Sequence, residues 1–352
     1  MKESKTNKKL KVAIAGYGKM GKIRAACIEN HPDLELVAIC EINSQNNSFN
    51  VPVCHDYKSL LDYSPDIVFA CTPNKYLPEI VSYFLNNRVH IFCEKPPGRN
   101  KKDVEMMLKA EKDNFGIKLK FGFNHRYHQA VLDAKSIIDQ GRLGKILWMR
   151  GIYGKAGGNK YENAWRNNRE ISGGGILIDQ GIHMVDLFRL FCGEFDEIKS
   201  FINQSYWPVE VEDNTFALLR NKEGQVAMLH SSATQWNHKF LLDIYMEKGY
   251  VTIYGILSST RTYGMETLKI ARCVYDEDGY PKPNPDETIT YYEDDHSWKM
   301  EIDEFISCIF NDVPVKVGTC FDAYKTMLLI EKIYAADEKW KWSEALQESE
   351  HL

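Results

Sequence analysis

The sequence predicts an α/β + α+β protein: an N-terminal doubly wound parallel sheet, then a C-terminal domain built on a large open, mostly antiparallel sheet. Three observations carry this. A glycine turn joins the first β-type run to a segment of helical spacing, β and α patterns then alternate to about residue 123, and closely spaced β-type runs follow from about residue 145. A length of 352 residues suits two domains, and the change of pattern divides them as 1–125 and 126–352.

Residues 11–15 form a short β-type run that leads into Gly16-Tyr17-Gly18-Lys19-Met20-Gly21, after which Ile23, Ala26, Cys27 and Asn30 follow at helical spacing. This is the strand, glycine turn and helix of a Rossmann dinucleotide site. Its first glycine permits the tight turn, its second the approach of a pyrophosphate, and its third close packing of helix on strand. A second run, 34–40, ends in Glu41. A carboxylate there can accept from both ribose hydroxyls and would repel a 2′-phosphate, and Ile42-Asn43-Ser44 brings no arginine, so NAD is favoured over NADP. Alternation continues through β 66–71, α 77–87, β 89–93, α 101–113 and β 117–123. Such sheets bind ligands at the carboxyl ends of their strands. Those ends hold Cys71-Thr72-Pro73-Asn74, Glu94-Lys95-Pro96-Pro97 and Asn124-His125-Arg126. Cofactor contacts are therefore expected from Gly16 to Gly21 (Tyr17, Gly18, Lys19 and Met20 included), and from Glu41, Cys71, Thr72, Pro73, Asn74, Glu94, Lys95 and Asn124.

In the second domain, β-type runs at 146–153, 198–206, 214–219, 226–234, 240–246, 250–256, 268–275 and 288–292 lie too close together for crossover helices, so most must pair antiparallel. Helices at 127–140 and 175–191 are expected to cover one face, and a large half-apolar sheet left open on the other needs a partner. In the second of these helices Ile176, Leu177, Met184, Leu187, Phe188 and Phe191 can point inward, Gly173-Gly174-Gly175 gives a flexible entry, and Gly193 caps the end. Asp179 and His183 then share one face, one turn apart. Asp186, a further turn along, is as good a buried structural acid as a site residue. Just upstream, Trp165 offers a face for a sugar and Arg166 a cation; the alternative is inter-domain packing for Trp165 and a surface ion pair for Arg166. The segment 276–293, with three prolines and acidic character, reads as a loop or hairpin tip. Terminal helices are expected at 298–310 and 321–336, and a frayed end at 343–352.

Composition narrows the function classes. A net charge of −5 with scattered basic residues leaves no nucleic-acid footprint. No run approaches the ~20 apolar residues that span a bilayer, and the first nine residues hold no apolar leader core, so a soluble cytoplasmic protein is expected. The nine cysteines form no C-x-x-C pair, and several, such as Cys40 and Cys71, sit in apolar runs; they read as small buried hydrophobes, and no metal site is expected.

Taken in order, G-Y-G-K-M-G at Gly16 to Gly21, C-T-P-N at Cys71 to Asn74, E-K-P at Glu94 to Pro96, N-H-R at Asn124 to Arg126 and G-G-G-I-L-I-D-Q-G-I-H from Gly173 to His183 resemble the Gfo/Idh/MocA family of nicotinamide-dependent oxidoreductases over nearly the whole chain. The resemblance implies that Lys95 contacts nicotinamide and substrate, that the peptide bond before Pro96 is often cis, and that Asp179 and His183 complete the catalytic group. It also implies hydride transfer between NAD and a secondary ring hydroxyl of a sugar, and homodimers or homotetramers formed through the C-terminal sheet. Substrate contacts then fall on Lys95, Arg126, Trp165, Arg166, Asp179 and His183, and Arg166 with Arg169 would suit a nucleotide-linked or other anionic sugar. Lys95 and His183 both remain candidates for the base. One departure is Leu77, with Tyr76 beside it, where the family commonly has a histidine; this puts a nicotinamide-side contact in doubt. The alternatives are an inositol or free-sugar dehydrogenase, a reductase of imines or unsaturated rings, and a non-catalytic NAD(H)-binding regulator. A regulator has no need of an intact Lys95, Asp179 and His183.

Overall fold

The computed structural model describes residues 9–43, 50–158 and 160–340, so Ser44 and the expected frayed end at 343–352 lie outside the described residues. The chain divides into two compact units, the first reaching to Gly122 and taking up Trp298–Tyr324 as well, the second formed by Phe123–Ser297 and the residues from Lys325.

The first unit is a six-stranded, wholly parallel sheet. Its elements are β1 (Leu10–Ala15), α1 (Lys19–Glu29), β2 (Leu34–Cys40), β3 (Val53–Cys54), β4 (Ile67–Ala70), α2 (Leu77–Asn86), β5 (His90–Cys93), α3 (Lys101–Asp113) and β6 (Leu119–Phe121). The strand order is β3-β2-β1-β4-β5-β6, so the order reverses at β1, and the loops that follow β1 and β4 lie at the switch point where such sheets bind ligands. The middle strands are short apolar runs because both faces are covered: every residue of β4 is buried.

The second unit opens with α4 (Gln129–Asp139) and β7 (Ile146–Ala156). A short helical turn, α5 (Arg169–Ser172), leads to a π-helical turn at Leu177–Gly181 and on into α6 (Ile182–Cys192). The remaining strands are β8 (Glu197–Asn203), β9 (Asn214–Arg220), β10 (Val226–Ser232), β11 (Thr234–Met246), β12 (Gly249–Tyr254), β13 (Glu266–Arg272) and β14 (Thr288–Tyr292). They form an eight-stranded sheet of order β14-β13-β12-β11-β7-β10-β9-β8, antiparallel throughout except for the β7/β10 pair. Along β8 and β9 buried and exposed side chains largely alternate, and the exposed ones include the large apolar residues Phe201, Phe216 and Leu218 beside charged groups such as Lys199 and Arg220.

The chain then returns to the first unit. On α7 (Ser297–Phe310), Ile302, Phe305 and Ile306 join Val12, Ile14, Phe69 and Phe92 in one core, with the rings of Phe92 and Phe305 edge to face. The unit boundary falls inside the last helix, α8 (Cys320–Ala335). The division at 125/126 expected from pattern therefore differs from the compact units, because the apolar face of α7 packs with residues nearly three hundred positions earlier, which periodicity does not reveal. Among the described residues no helix is long and apolar enough to cross a membrane. The nine cysteines are free thiols, all buried or half-buried.

Candidate active site

The glycine turn of the first unit is shaped by its own backbone. Gly16 sits at φ +92°, and a Cβ on Gly21 would come within 2.2 Å of the Gly16 carbonyl oxygen, so both positions are closed to side chains by packing inside the protein. Gly18 differs, since a Cβ there would meet no protein atom. The residue needs to be small only for something that approaches from outside. Gly18 is also the N-cap of α1, and no side chain caps the helix, so the first amides face outward with the positive end of the helix dipole. Beside them Glu41 accepts from the Tyr17 amide at 2.9 Å and the Asn43 amide at 3.0 Å, which fixes its carboxylate at the mouth of the turn. Thr72 Oγ1 is buried there without a hydrogen-bond partner. Open amides, an uncovered glycine, a placed carboxylate and an orphaned hydroxyl fit a dinucleotide. Leu77, where a histidine was the commoner expectation, is a buried residue that starts α2.

Lys95 follows β5 and is joined to Pro96 by a cis peptide bond. Its neighbour Glu94 is buried and accepts from Arg24 Nε at 2.6 Å, while Arg24 Nη2 donates to Glu301 Oε2 at 2.8 Å. Arg24 is fully buried, with its guanidinium over the rings of Phe92 and Trp298. Burial pushes the Glu301 carboxyl up to about 7, against the pull of Arg24 and Lys120. The strand end that carries Lys95 is thus tied to α1 and α7.

In the second unit Asp179 lies in the π-helical turn and His183 in the first turn of α6. The sequence predicted one continuous helix from 175; the turn is instead widened at the residue expected to act, a common place for such a bulge. The turn is held by Glu212. This fully buried carboxylate accepts from the amides of Gly175 (2.9 and 3.0 Å) and Leu177 (2.9 Å) and from the Tyr334 hydroxyl (2.7 Å), and burial pushes it up to about 7. A Cβ on Gly175 would come within 2.1 Å of the Glu212 carbonyl oxygen, so these glycines provide room for a close-packed entry and not the flexible one expected.

Asp179 accepts from Lys155 Nζ at 3.0 Å on one oxygen and from Arg166 Nε at 3.0 Å on the other. Arg166 in turn lies 4.4 Å over the ring of Trp165. The imidazoles of His183 and His125 are stacked, 3.6 Å between centroids and 18° between planes, and both are buried. His125 is oriented from both sides: Nδ1 is 3.2 Å from Asn124 Oδ1, an acceptor, and Nε2 is 3.2 Å from the Tyr153 hydroxyl. Burial raises the Tyr153 hydroxyl far above its ordinary range, so it stays protonated and can donate to or accept from the His125 ring. His183 thus rests against a ring held by Asn124 and Tyr153.

The second unit brings together Trp165, Arg166 and Asp179, and separately Asn124, His125 and His183. Arg126 Nε and Nη2 donate to the two oxygens of Asp186 at 2.7 and 2.6 Å in a buried fork. Asn124 spends its amide within the unit as well, donating to Ser297 Oγ at 3.2 Å. Sequence reasoning passed over Lys155, Tyr153 and His125. Only His125 left a signal, as the middle residue of N-H-R at a strand end.

This arrangement defines an NAD-binding oxidoreductase. Two family models match the chain, the NAD-binding Rossmann fold of the oxidoreductase family over residues 10–119 and the Gfo/Idh/MocA C-terminal domain over residues 131–252, and the chain belongs to the Gfo/Idh/MocA family. Among curated relatives, the D-glucoside 3-dehydrogenase of Escherichia coli is 29% identical over 257 residues, covering 66% of this chain and 72% of the relative. The levoglucosan dehydrogenase of Pseudarthrobacter phenanthrenivorans is 28% identical over 239 residues, covering 60% and 59%. A solved levoglucosan dehydrogenase in complex with NADH and levoglucosan has the same fold, with a TM-score of 0.81 at 23% identity over 95% of this chain and 98% of that one.

Proposed function

We propose that the protein oxidises a secondary ring hydroxyl of a hexopyranoside, or reduces the matching ketone. The observation that carries this is the widened turn that leads from Asp179, held by Lys155 and Arg166, to a buried His183 imidazole stacked on His125; the glucoside and levoglucosan dehydrogenases among the relatives support a pyranose as substrate. NAD, when bound, supplies a two-electron hydride acceptor, and the glycine turn, Glu41 and the residues from Cys71 to Asn74 are the groups that would hold it. His183 takes the hydroxyl proton, a task suited to an imidazole near neutral pH. Lys95 orients that hydroxyl or shares its proton, and Asp179, with its two cations, binds neighbouring hydroxyls. The exposed apolar strip of β8 and β9 supports association of two or four copies, and the free thiols a reducing, cytoplasmic setting.

A second reading, an anionic sugar such as a sugar phosphate or nucleotide-linked sugar, is favoured by one observation: Lys155 and Arg166 share a single carboxylate and leave that trio with net positive charge. A glucose-6-phosphate 3-dehydrogenase of Bacillus subtilis, 29% identical over 195 residues, supports it as well.

The test follows NADH formation with methyl glucosides, levoglucosan, myo-inositol, glucose 6-phosphate and UDP-glucose. Turnover of one group, reduced roughly 10²- to 10⁴-fold in Lys95→Ala, is the expected result. An NADH-binding protein inert to the whole panel would support the regulator instead.

A further inference from the structure

We propose that the irregular start of β11 at Trp236 and His238, with the loop carrying Tyr206 and Trp207, forms a second sugar subsite that takes the aglycone ring of a glycoside. The proposal rests on the pyranoside reading above and names the part of the substrate beyond the oxidised ring.

Two chains of rings lead outward from the catalytic turn. The first begins at Tyr161, whose hydroxyl is raised by burial and then by the charge of Asp179. Tyr161 packs 4.7 Å from Trp207, Trp207 5.1 Å from Tyr206, and Tyr206 5.1 Å from Trp236. The second begins at the adjacent residue, Gln180, which donates to the Tyr263 hydroxyl; the Tyr263 ring lies 5.4 Å from His238, and His238 Nδ1 is 2.9 Å from Thr262 Oγ1. The first path starts at Tyr161, which feels the charge of Asp179, the second at Gln180, the residue after Asp179, and they end two residues apart near the start of β11.

The platform is built rigidly. Asp213 accepts from three backbone amides, Ser205 at 3.0 Å, Tyr206 at 2.7 Å and Trp207 at 2.9 Å. Burial alone would raise its carboxyl, yet these bonds hold it below its ordinary range. Trp207 Nε1 donates to the Ala233 carbonyl at 2.9 Å, and its ring lies where a Cβ on Gly157 would come within 2.1 Å. Yet Trp236 is 61% and Tyr206 62% exposed. A pinned loop that leaves two large rings in water has already met most of the ordering cost of binding. Gln204 Nε2 lies 3.4 Å from the Trp207 carbonyl oxygen, and the exposed Asn237 follows Trp236 in the chain. Flat apolar faces edged with amides match a pyranose, which has C–H faces and a rim of hydroxyls. The exposed strip of β8 and β9, aliphatic and aromatic, is the surface suited to a second copy.

The experiment compares methyl β-glucoside with cellobiose and maltose as substrates of the wild type, Trp236→Ala and Tyr206→Ala. Each variant is expected to raise KM for a disaccharide about tenfold and for the methyl glucoside less than about twofold. Equal changes for both sugars, or none, would overturn the subsite. If the wild type turns over none of these sugars, the pyranoside reading fails, and the subsite is judged by calorimetric titration of the NADH-loaded protein with the disaccharides. Saturable heat lost in both variants supports it; no heat in the wild type overturns it. A smaller assembly mass for Trp236→Ala by light scattering, with sugar responses unchanged, overturns it in favour of a contact between copies.

Discussion

Two three-membered charge clusters lie beside the proposed catalytic residues, and they are built in opposite ways. Behind Lys95, one guanidinium, Arg24, faces two carboxylates, Glu94 and Glu301, all out of water. At the turn before His183, one carboxylate, Asp179, faces two cations, Lys155 and Arg166, and all three reach solvent. A buried cluster is costly to break because the charge left behind has no substitute partner, whereas an exposed one exchanges its partners with water or ligand for little. The first is therefore suited to hold a strand end still. The second is suited to compete for a substrate.

The largest expected effect tests the buried cluster. Arg24→Met leaves two carboxylates without their cation and should cost about 3–5 kcal/mol of stability, read as a lower urea midpoint. An unchanged midpoint would remove the contrast drawn above. The next effect is on pH. Glu301, pushed up to about 7 in the folded state from an ordinary 4.5, binds a proton there that the unfolded chain has already lost. Stability contributed by that proton is present below the unfolded value and fades as pH rises through about 7, so the urea midpoint should fall between pH 5 and 8. Glu212, also near 7, adds in the same direction. Glu301→Gln should flatten part of the slope; a slope identical to wild type would place the titration elsewhere. The smallest expected effect on stability is at the exposed cluster, where Arg166→Met should change it by less than about 1 kcal/mol. Its signature is kinetic. KM should rise more for glucose 6-phosphate than for a methyl glucoside if anionic sugars are the substrates, and equally for both if they are not.

The two clusters also differ in how far they can be seen in advance. Glu94, Lys95, Asp179 and Arg166 stand out as motif residues or as polar groups at the ends of apolar runs. Their partners do not. Arg24 looks like an ordinary residue of an amphipathic helix, and nothing in its neighbourhood points to Glu301, 277 positions away. Lys155 lies just past the β-type run 146–153 and belongs to no motif. Arg126, beside a strand end where ligands bind, turned inward to Asp186 because a buried carboxylate sixty residues on required it.

What the sequence by itself determined was the kind and order of the elements: the parallel sheet, the eight later strands, the glycine turn and the acid twenty positions beyond it. These follow from apolar periodicity and turn chemistry, which act over a few residues and are written locally. Only the tertiary structure decided which unit α7 joins, that the helix of Asp179 begins with a widened turn pinned by Glu212, that His183 rests on His125, and which charges face one another. Those outcomes depend on desolvation. A group taken out of water must find a partner wherever the fold brings one, and the distance along the chain to that partner leaves no local trace.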